Sequence, residues 1–206
     1  MDQDIKIRRF QEEDYEAVIK ILVYSFKSKF HALTNLSDEE ISQLLRDTGF
    51  IYHIPFEGYL VGEAGGSVQG VMLLKWNRQR RPVRKGLRFF ELTGKYGALN
   101  VCKFIFGLMI LQEKLDEDEC YIEHVAVNPE ARGWGLGTMF LDYGKELIGK
   151  TAYLDKLTLH VAVNNKKAFS LYKQQGFQVK MLQSSFFTFL LLKEREWYYM
   201  NLRNIK

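Results

Sequence analysis

The spacing of hydrophobic positions changes several times along the chain, and each change marks an element. Between Asp4 and Phe10, Ile5 and Ile7 alternate with Lys6 and Arg8, which predicts a first strand. From Gln11 to Phe26 the apolar residues Tyr15, Val18, Ile19, Leu22 and Phe26 fall at helical spacing. A second helix starts at Ser37. Ser37 and Glu40 form a capping box, in which each side chain serves the other residue's backbone N–H, and Ile41, Leu44 and Leu45 supply the apolar face. Gly58–Glu63 and Ser67–Trp76 read as a hairpin around Ala64-Gly65-Gly66.

Arg78–Glu119 breaks the rhythm. It opens with basic residues, runs into a very apolar helical segment, Tyr96–Gln112, and ends in Asp116-Glu117-Asp118-Glu119. It reads as an insertion between strands 3 and 4. Its apolar helix serves core packing, a lid over an acceptor pocket, or a dimer face. Tyr121–Val127 is the fourth strand. A third helix follows, with Leu136, Met139, Phe140, Tyr143 and Leu147 on its apolar side, and ends near Gly149. Lys156–Val163 is a fifth strand, and Asn164 or Asn165 caps a helix that stops at Gly176. Phe177–Met181 and Trp197–Leu202 are the last two strands. Phe186–Leu192 either extends the final hairpin or walls the substrate site.

Composition narrows the class. A chain of 206 residues, 47% hydrophobic, suits one domain with a sizeable core and room for an insertion. The start, MDQDIKIRRF, is charged, and no apolar run reaches the roughly 18 residues that span a bilayer. Cys102 and Cys120 have neither metal-site nor disulfide-framework spacing, which points to a soluble protein in the reducing cytoplasm without a metal. The net charge of +4 is uneven, because Lys75–Arg88 holds seven bases and no acid. That patch is a solvated connection or a phosphate contact. Few aromatics interleave with it, only Trp76 and then Phe89 and Phe90, so nucleic-acid association ranks last.

The chemistry concentrates at Asn128–Leu141, NPEARGWGLGTMFL, between a strand and a helix N-terminus. The first N–H groups of a helix have no internal partner and favour an anion. No Lys-Ser or Lys-Thr follows these glycines, which excludes a P-loop. A G-x-G-x-x-G reading from Gly133 or Gly135 ends on Thr138 or Phe140, which excludes the dinucleotide fingerprint. Arg132, Gly135 and Gly137 fit R-x-x-G-x-G. Some thirty residues on, Asn165, Ala168, Tyr172 and Gly176-Phe177 fit N-x-x-A-x-x-x-Y-x-x-x-G-F.

In order, separation and strand–helix context these two motifs resemble the GNAT superfamily of acetyl-coenzyme A-dependent N-acetyltransferases. Element order extends the resemblance to residues 4–76 and 120–203. It implies a single α/β domain over residues 1–206, with a mixed, mostly antiparallel sheet flanked by helices and a helical insertion at about 78–119. It implies acetyl-coenzyme A as cosubstrate and an amine as acceptor, either a small molecule or a peptide. The diphosphate would lie on Arg132, Gly133, Trp134, Gly135, Leu136, Gly137 and Thr138. The pantetheine arm would pair with Val125, Ala126 and Val127 as a short strand and be fixed by Asn165, which is also a helix cap. The Val125 N–H would face the developing oxyanion.

In such enzymes a tyrosine at the position of Tyr172 protonates the departing thiolate; the plainer reading is a core aromatic. A lysine-like amine must arrive neutral, which at pH 7 costs about 4.6 kcal/mol, so a base is expected. Glu123 lies two residues before Val125, at a position often acidic in the family, and alternation puts it on one face with Tyr121, Val125 and Val127 and leaves His124 on the other, in a structural role. His160 looks like the acidic base position of ribosomal-protein N-terminal acetyltransferases, and imidazole suits a base at neutral pH. Each is otherwise an ordinary polar strand residue. Cys120 reads as a buried cysteine rather than an acetyl carrier. The rival function is a non-catalytic coenzyme A-binding sensor or interaction module.

Overall fold

The computed structural model describes residues 4–51, 56–79, 88–110 and 113–203. Seven strands form one sheet in the order β1-β2-β3-β4-β5-β7-β6. They are β1 (Ile5–Arg9), β2 (Tyr59–Ala64), β3 (Ser67–Lys75), β4 (Glu119–Val127), β5 (Lys156–Ala162), β6 (Gln178–Ser184) and β7 (Glu196–Arg203). Among the described residues β4 and β5 are the one parallel pair, and the other neighbours run antiparallel.

Local signals account for several elements. The β2–β3 turn is closed by Gly65 and Gly66 at φ 57 and 74, the left-handed backbone that a two-residue hairpin turn requires. Ser37 caps α3 (Asp38–Asp47). Its Oγ accepts from the Glu40 N–H at 3.2 Å, and Glu40 returns the bond to the Ser37 N–H at 2.8 Å. Such caps contribute about 1 kcal/mol.

Elsewhere the chain departs from its sequence pattern. The expected helix over Gln11–Phe26 is a 3-10 turn at Glu12–Asp14 followed by α1 (Tyr15–Ser25). The backbone breaks at Phe26 (φ −111, ψ 21), and α2 (Lys27–Leu33) leaves in a new direction, which lets Phe30 and Leu33 be buried. The expected Tyr96–Gln112 helix is α5 (Ala98–Ile110), with Leu111 and Gln112 outside the described residues, and a further helix, α4 (Phe89–Tyr96), precedes it across Gly97. Of the basic stretch Lys75–Arg88, residues 80–87 also lie outside them. The acidic run splits: Asp116 and Asp118 pair with Lys156 at 2.5 and 3.1 Å, while Glu119 is buried at the start of β4. β6 runs on past Met181 to Ser184, and Phe186–Leu192 is a helix, α8, rather than strand.

The sheet separates two cores. One face carries Val61, Val71, Leu73 and Ala126 against α1, α3, α4 and α5. The other carries Leu60, Met72, Ile122, Leu157, Leu159 and Val161 against α6 (Leu136–Lys150) and α7 (Lys166–Gln174). The insertion therefore forms part of the first core, with Leu92, Tyr96, Val101 and Phe104 all buried in it. A small cluster of Leu33, Leu191 and Leu192, with Ile110 and Trp197 against it, joins α2, α5 and α8. Among the described residues no helix is long and apolar enough to cross a membrane.

Candidate active site

The site begins where two parallel strands part. β4 pairs with β5 from Glu119–Lys156 to Ile122–Leu159 and no further. Beyond that point β5 stays bonded to β7, and β4 stays bonded to β3 through Val127. The strand edge of Glu123–Val127 that faces β5 therefore has no paired strand among the described residues. Unpaired backbone N–H and C=O groups of such an edge are a template for an extended, amide-bearing ligand.

A bulge sits at the fork. Leu73 is opposite His124 and Leu74 is opposite Ile122, so Glu123 has no residue across from it. The extra residue resets the alternation. Val125 and Val127 pack with Cys120 and Ile122 in the α6–α7 core. Glu123 stays with Tyr121 and meets Lys75, opposite Tyr121 on β3, at 2.9 Å. His124 turns to the same side, where its ring packs edge-on against Tyr59 at 5.7 Å and Phe26 at 6.1 Å. The strict alternation expected from sequence thus fails at two points. Glu123 does not share a face with Val125 and Val127, and His124 is not opposite Glu123. Burial pushes His124 down to about 3, with Lys75 and Lys29 adding to the effect, so its ring is neutral at ordinary pH.

The glycine loop lies at the end of β4. A 3-10 turn at Pro129–Ala131 leads into exposed Arg132, and Gly133 and Gly135 hold φ 86 and 87. Those angles need glycine, and no protein atom lies within 4 Å of where a Cβ would be on either. Gly135 is the N-cap of α6, so the N–H groups of Leu136, Gly137 and Thr138 have no helical acceptor. At Gly137 a Cβ would meet Leu171 of α7 at 3.1 Å, so that glycine sets how closely the two helices pack. The loop is thus an open nest of N–H groups beside a guanidinium, chemistry that fits a diphosphate.

Asn165 is the N-cap of α7; its Oδ1 accepts from the Ala168 N–H at 3.2 Å, and its amide NH2 is left without a partner among the described residues. Tyr172 lies on the same helix, on the α6–α7 side of the sheet, with its ring 5.8 Å from Phe177. Burial pushes its phenol up to about 12.

His160 occupies the opposite face. It alternates with Leu159 and Val161, which belong to the α6–α7 core, and its ring packs against Tyr199 at 5.1 Å. Nδ1 lies 3.2 Å from the Tyr121 hydroxyl and 3.7 Å from Glu113 Oε1, while Nε2 is buried with no hydrogen-bond partner. A cavity of about 170 Å³ opens here, lined by Glu113, Lys114, Asp116, Glu119, Tyr121, His160, Met181, Gln183 and Tyr199. Glu119 is held in place by the hydroxyls of Thr158 and Tyr199. Cys120 is fully buried, and burial drives its thiol far above the ordinary value, which leaves no thiolate for acyl transfer.

The structure therefore brings Glu123, Val125, Ala126, Val127 and His160 to the fork, sets Tyr172 on the α6–α7 side with Val125 and Val127, and puts the glycine loop and Asn165 at the N-termini of α6 and α7. The sequence motifs did not single out Glu113, Tyr199 or Lys29. The first belongs to the insertion, and the others carry no motif.

The sequence model of the Acetyltransferase (GNAT) family matches residues 19–177, well over half the chain. The chain belongs to the GNAT acetyltransferase family. Solved structures with the same fold include an N-acetyltransferase from Staphylococcus aureus Mu50, 19% identical, with TM-score 0.66 over 96% of this chain and 100% of that one. The ribosomal-protein-S18-alanine N-acetyltransferase from Escherichia coli is 16% identical, with TM-score 0.55 over 97% of this chain and 93% of that one. Arabidopsis thaliana Naa50, in complex with the bisubstrate analogue CoA-Ac-MVNAL, is 13% identical, with TM-score 0.58 over 97% and 99%. At these identities the likeness is one of fold. No curated relative matches the chain by sequence.

Proposed function

We propose that this GNAT family member transfers acetyl from acetyl-coenzyme A directly to a primary amine, within one domain that includes the insertion. The observation that carries the reading is the fork. An unpaired β4 edge, Glu123–Val127, runs from the His160 cavity to an N–H nest at Gly133–Thr138. Acetyl-coenzyme A presents matching chemistry in the same order, a thioester, a peptide-like arm and a diphosphate. Val125–Val127 would pair with the arm, Asn165 would hold it, and Arg132–Thr138 would take the diphosphate.

The candidate acid and base lie on opposite faces of the sheet. Tyr172, kept protonated by its raised pKa, suits a donor to the leaving thiolate. His160 suits the base that relieves the acceptor ammonium of its proton in the tautomer whose Nδ1–H donates to the Tyr121 hydroxyl, which leaves the Nε2 lone pair free. Glu123, paired with Lys75, is the second candidate for that role. The separation supports direct transfer: the neutral amine attacks the thioester carbon from the His160 side, the C–N bond forms with the oxyanion at the Val125 N–H, the C–S bond then breaks as the sulfur takes the Tyr172 proton, and the proton shed by the acylated nitrogen replaces it.

The test is calorimetric titration with acetyl-coenzyme A, using the Arg132→Ala/Gly135→Glu variant and ATP and NADH as controls. Saturable binding of acetyl-coenzyme A alone, lost in the double variant, is expected. Coenzyme A release with a panel of amines then reports transfer. Binding without release for any amine would favour the sensor reading, and no binding would remove both.

A further inference from the structure

The face of the sheet that carries His160 also holds a cation, Lys29, that makes no ion pair among the described residues. Phe26, the N-cap of α2, and Lys29 in its first turn link His124 of β4 to Trp197 of β7. On one side the Phe26 ring packs against His124 of β4 at 6.1 Å. On the other, Lys29 Nζ lies 4.9 Å from the ring centre of Trp197 and 5.2 Å from that of Phe26. Trp197 pairs with Ala162, at the end of β5, beyond the last β4–β5 pair. Lys29 thus lies between Phe26, which rests on β4, and Trp197 of β7, beside the end of β5 that β4 no longer pairs.

Its surroundings supply rings rather than counter-charge. Among the described residues the ammonium makes no ion pair and no hydrogen bond. The other basic groups of the helix, Lys27 and His31, are both satisfied by Asp38 at 2.6 and 2.8 Å. Glu194 attracts Lys29 from a distance but already accepts two hydrogen bonds at 2.7 Å from Asn164. Burial holds the ammonium below its ordinary pKa. Two more polar groups nearby are buried without hydrogen-bond partners, the Trp197 indole N–H and His124 Nε2. Half-buried, cationic and beside a buried indole N–H, the spot has the chemistry of an anion site.

We propose that Lys29 binds a carboxylate carried by the acceptor, so that the enzyme acts on amines bearing a nearby carboxylate, in free amino acids or beside a peptide's reacting amine, rather than on simple amines. The inference rests on the acetyl-transfer reading and names its substrate class. An approaching carboxylate would pair with the Lys29 ammonium and gain the indole N–H, while the amine faces His160 along the same side of β5. A polycationic acceptor would be repelled at this position.

The experiment titrates matched pairs into the protein saturated with coenzyme A: alanine against alaninamide, β-alanine against β-alaninamide, and the dipeptide Ala-Asp against Ala-Asn. The carboxylate member of at least one pair should bind about 10- to 100-fold more tightly, the range for a charged hydrogen-bonded contact. Which pair discriminates identifies the source of the carboxylate. Lys29→Met should erase the difference, and Lys29→Arg should restore part of it. Equal binding within every pair, absence of binding, or discrimination that survives Lys29→Met would overturn the proposal. Acetyl-coenzyme A binding and coenzyme A release with the same amines, measured on the parent protein, report separately on the transfer reading.

Discussion

The Tyr121 hydroxyl lies 3.2 Å from Nδ1 of His160, across the last paired stretch of β4 and β5. That contact engages one ring nitrogen and leaves the other, buried and unpartnered, for a substrate proton. His160→Ala should lower kcat for amine acetylation by about 100-fold or more, the usual worth of a positioned base. Tyr121→Phe, which removes the orienting hydroxyl, should cost less and act on kcat rather than KM. Glu123→Gln should lose less than His160→Ala, because its carboxylate is already paired with Lys75. Steady-state coenzyme A release decides the order; a larger loss in Glu123→Gln would transfer the role to Glu123.

Tyr172 is predicted to act as an acid whose proton is never in doubt. With its pKa pushed up to about 12, the phenol stays protonated throughout the working range, and no alkaline limb of kcat below about pH 10 should belong to it. Tyr172→Phe should cut kcat by about 100-fold while leaving acetyl-coenzyme A affinity within about threefold. An alkaline limb near neutrality that disappears in the phenylalanine variant would contradict this assignment.

Arg132 and Gly135 should separate affinity from stability. Arg132 is exposed, so Arg132→Ala should leave the unfolding free energy within about 0.5 kcal/mol while weakening acetyl-coenzyme A binding. Gly135 sits at φ 87 with open space where a Cβ would be, so Gly135→Ala meets backbone strain of about 1–2 kcal/mol and no clash. Thermal unfolding and calorimetry on the two variants should therefore differ in the first measurement and agree in the second.

Acid should loosen the β1 end of the sheet. Burial pushes the Asp14 carboxyl up, but hydrogen bonds at 2.6 and 2.8 Å from Arg8, the Gln11 N–H and the Arg8 charge outweigh it and hold Asp14 below its ordinary 3.8. This pairing stabilises the fold fully above that value and is lost as pH falls through the lowered one. Arg8→Met should cost about 1–3 kcal/mol at neutral pH, by leaving a buried carboxylate short of donors. Its difference from the parent should shrink below about pH 3. A constant difference down to pH 2 in denaturant melts would exclude the mechanism.

What the sequence by itself determined is what short-range bonds decide. Ser37 and Glu40 make their capping box within one helical turn, Gly65-Gly66 closes a hairpin within four residues, and Asn165 bonds the N–H three residues on. The spacing of Arg132, Gly135 and Gly137 was legible for the same reason, because a nest of N–H groups is built from neighbouring peptides. Tertiary structure alone decided the rest. The bulge at Glu123 comes from register against β3, fifty residues away in the chain, and it moved His124 and Val125 off the faces that alternation assigns. Phe186–Leu192 has no polar side from which to read a period; its contact with Leu33 and Trp197 makes it a helical wall. Glu113 reaches His160, and Lys29 lies over Trp197, only because the insertion and α2 pack on the sheet. Such meetings join residues tens to more than a hundred positions apart, and no local pattern encodes them.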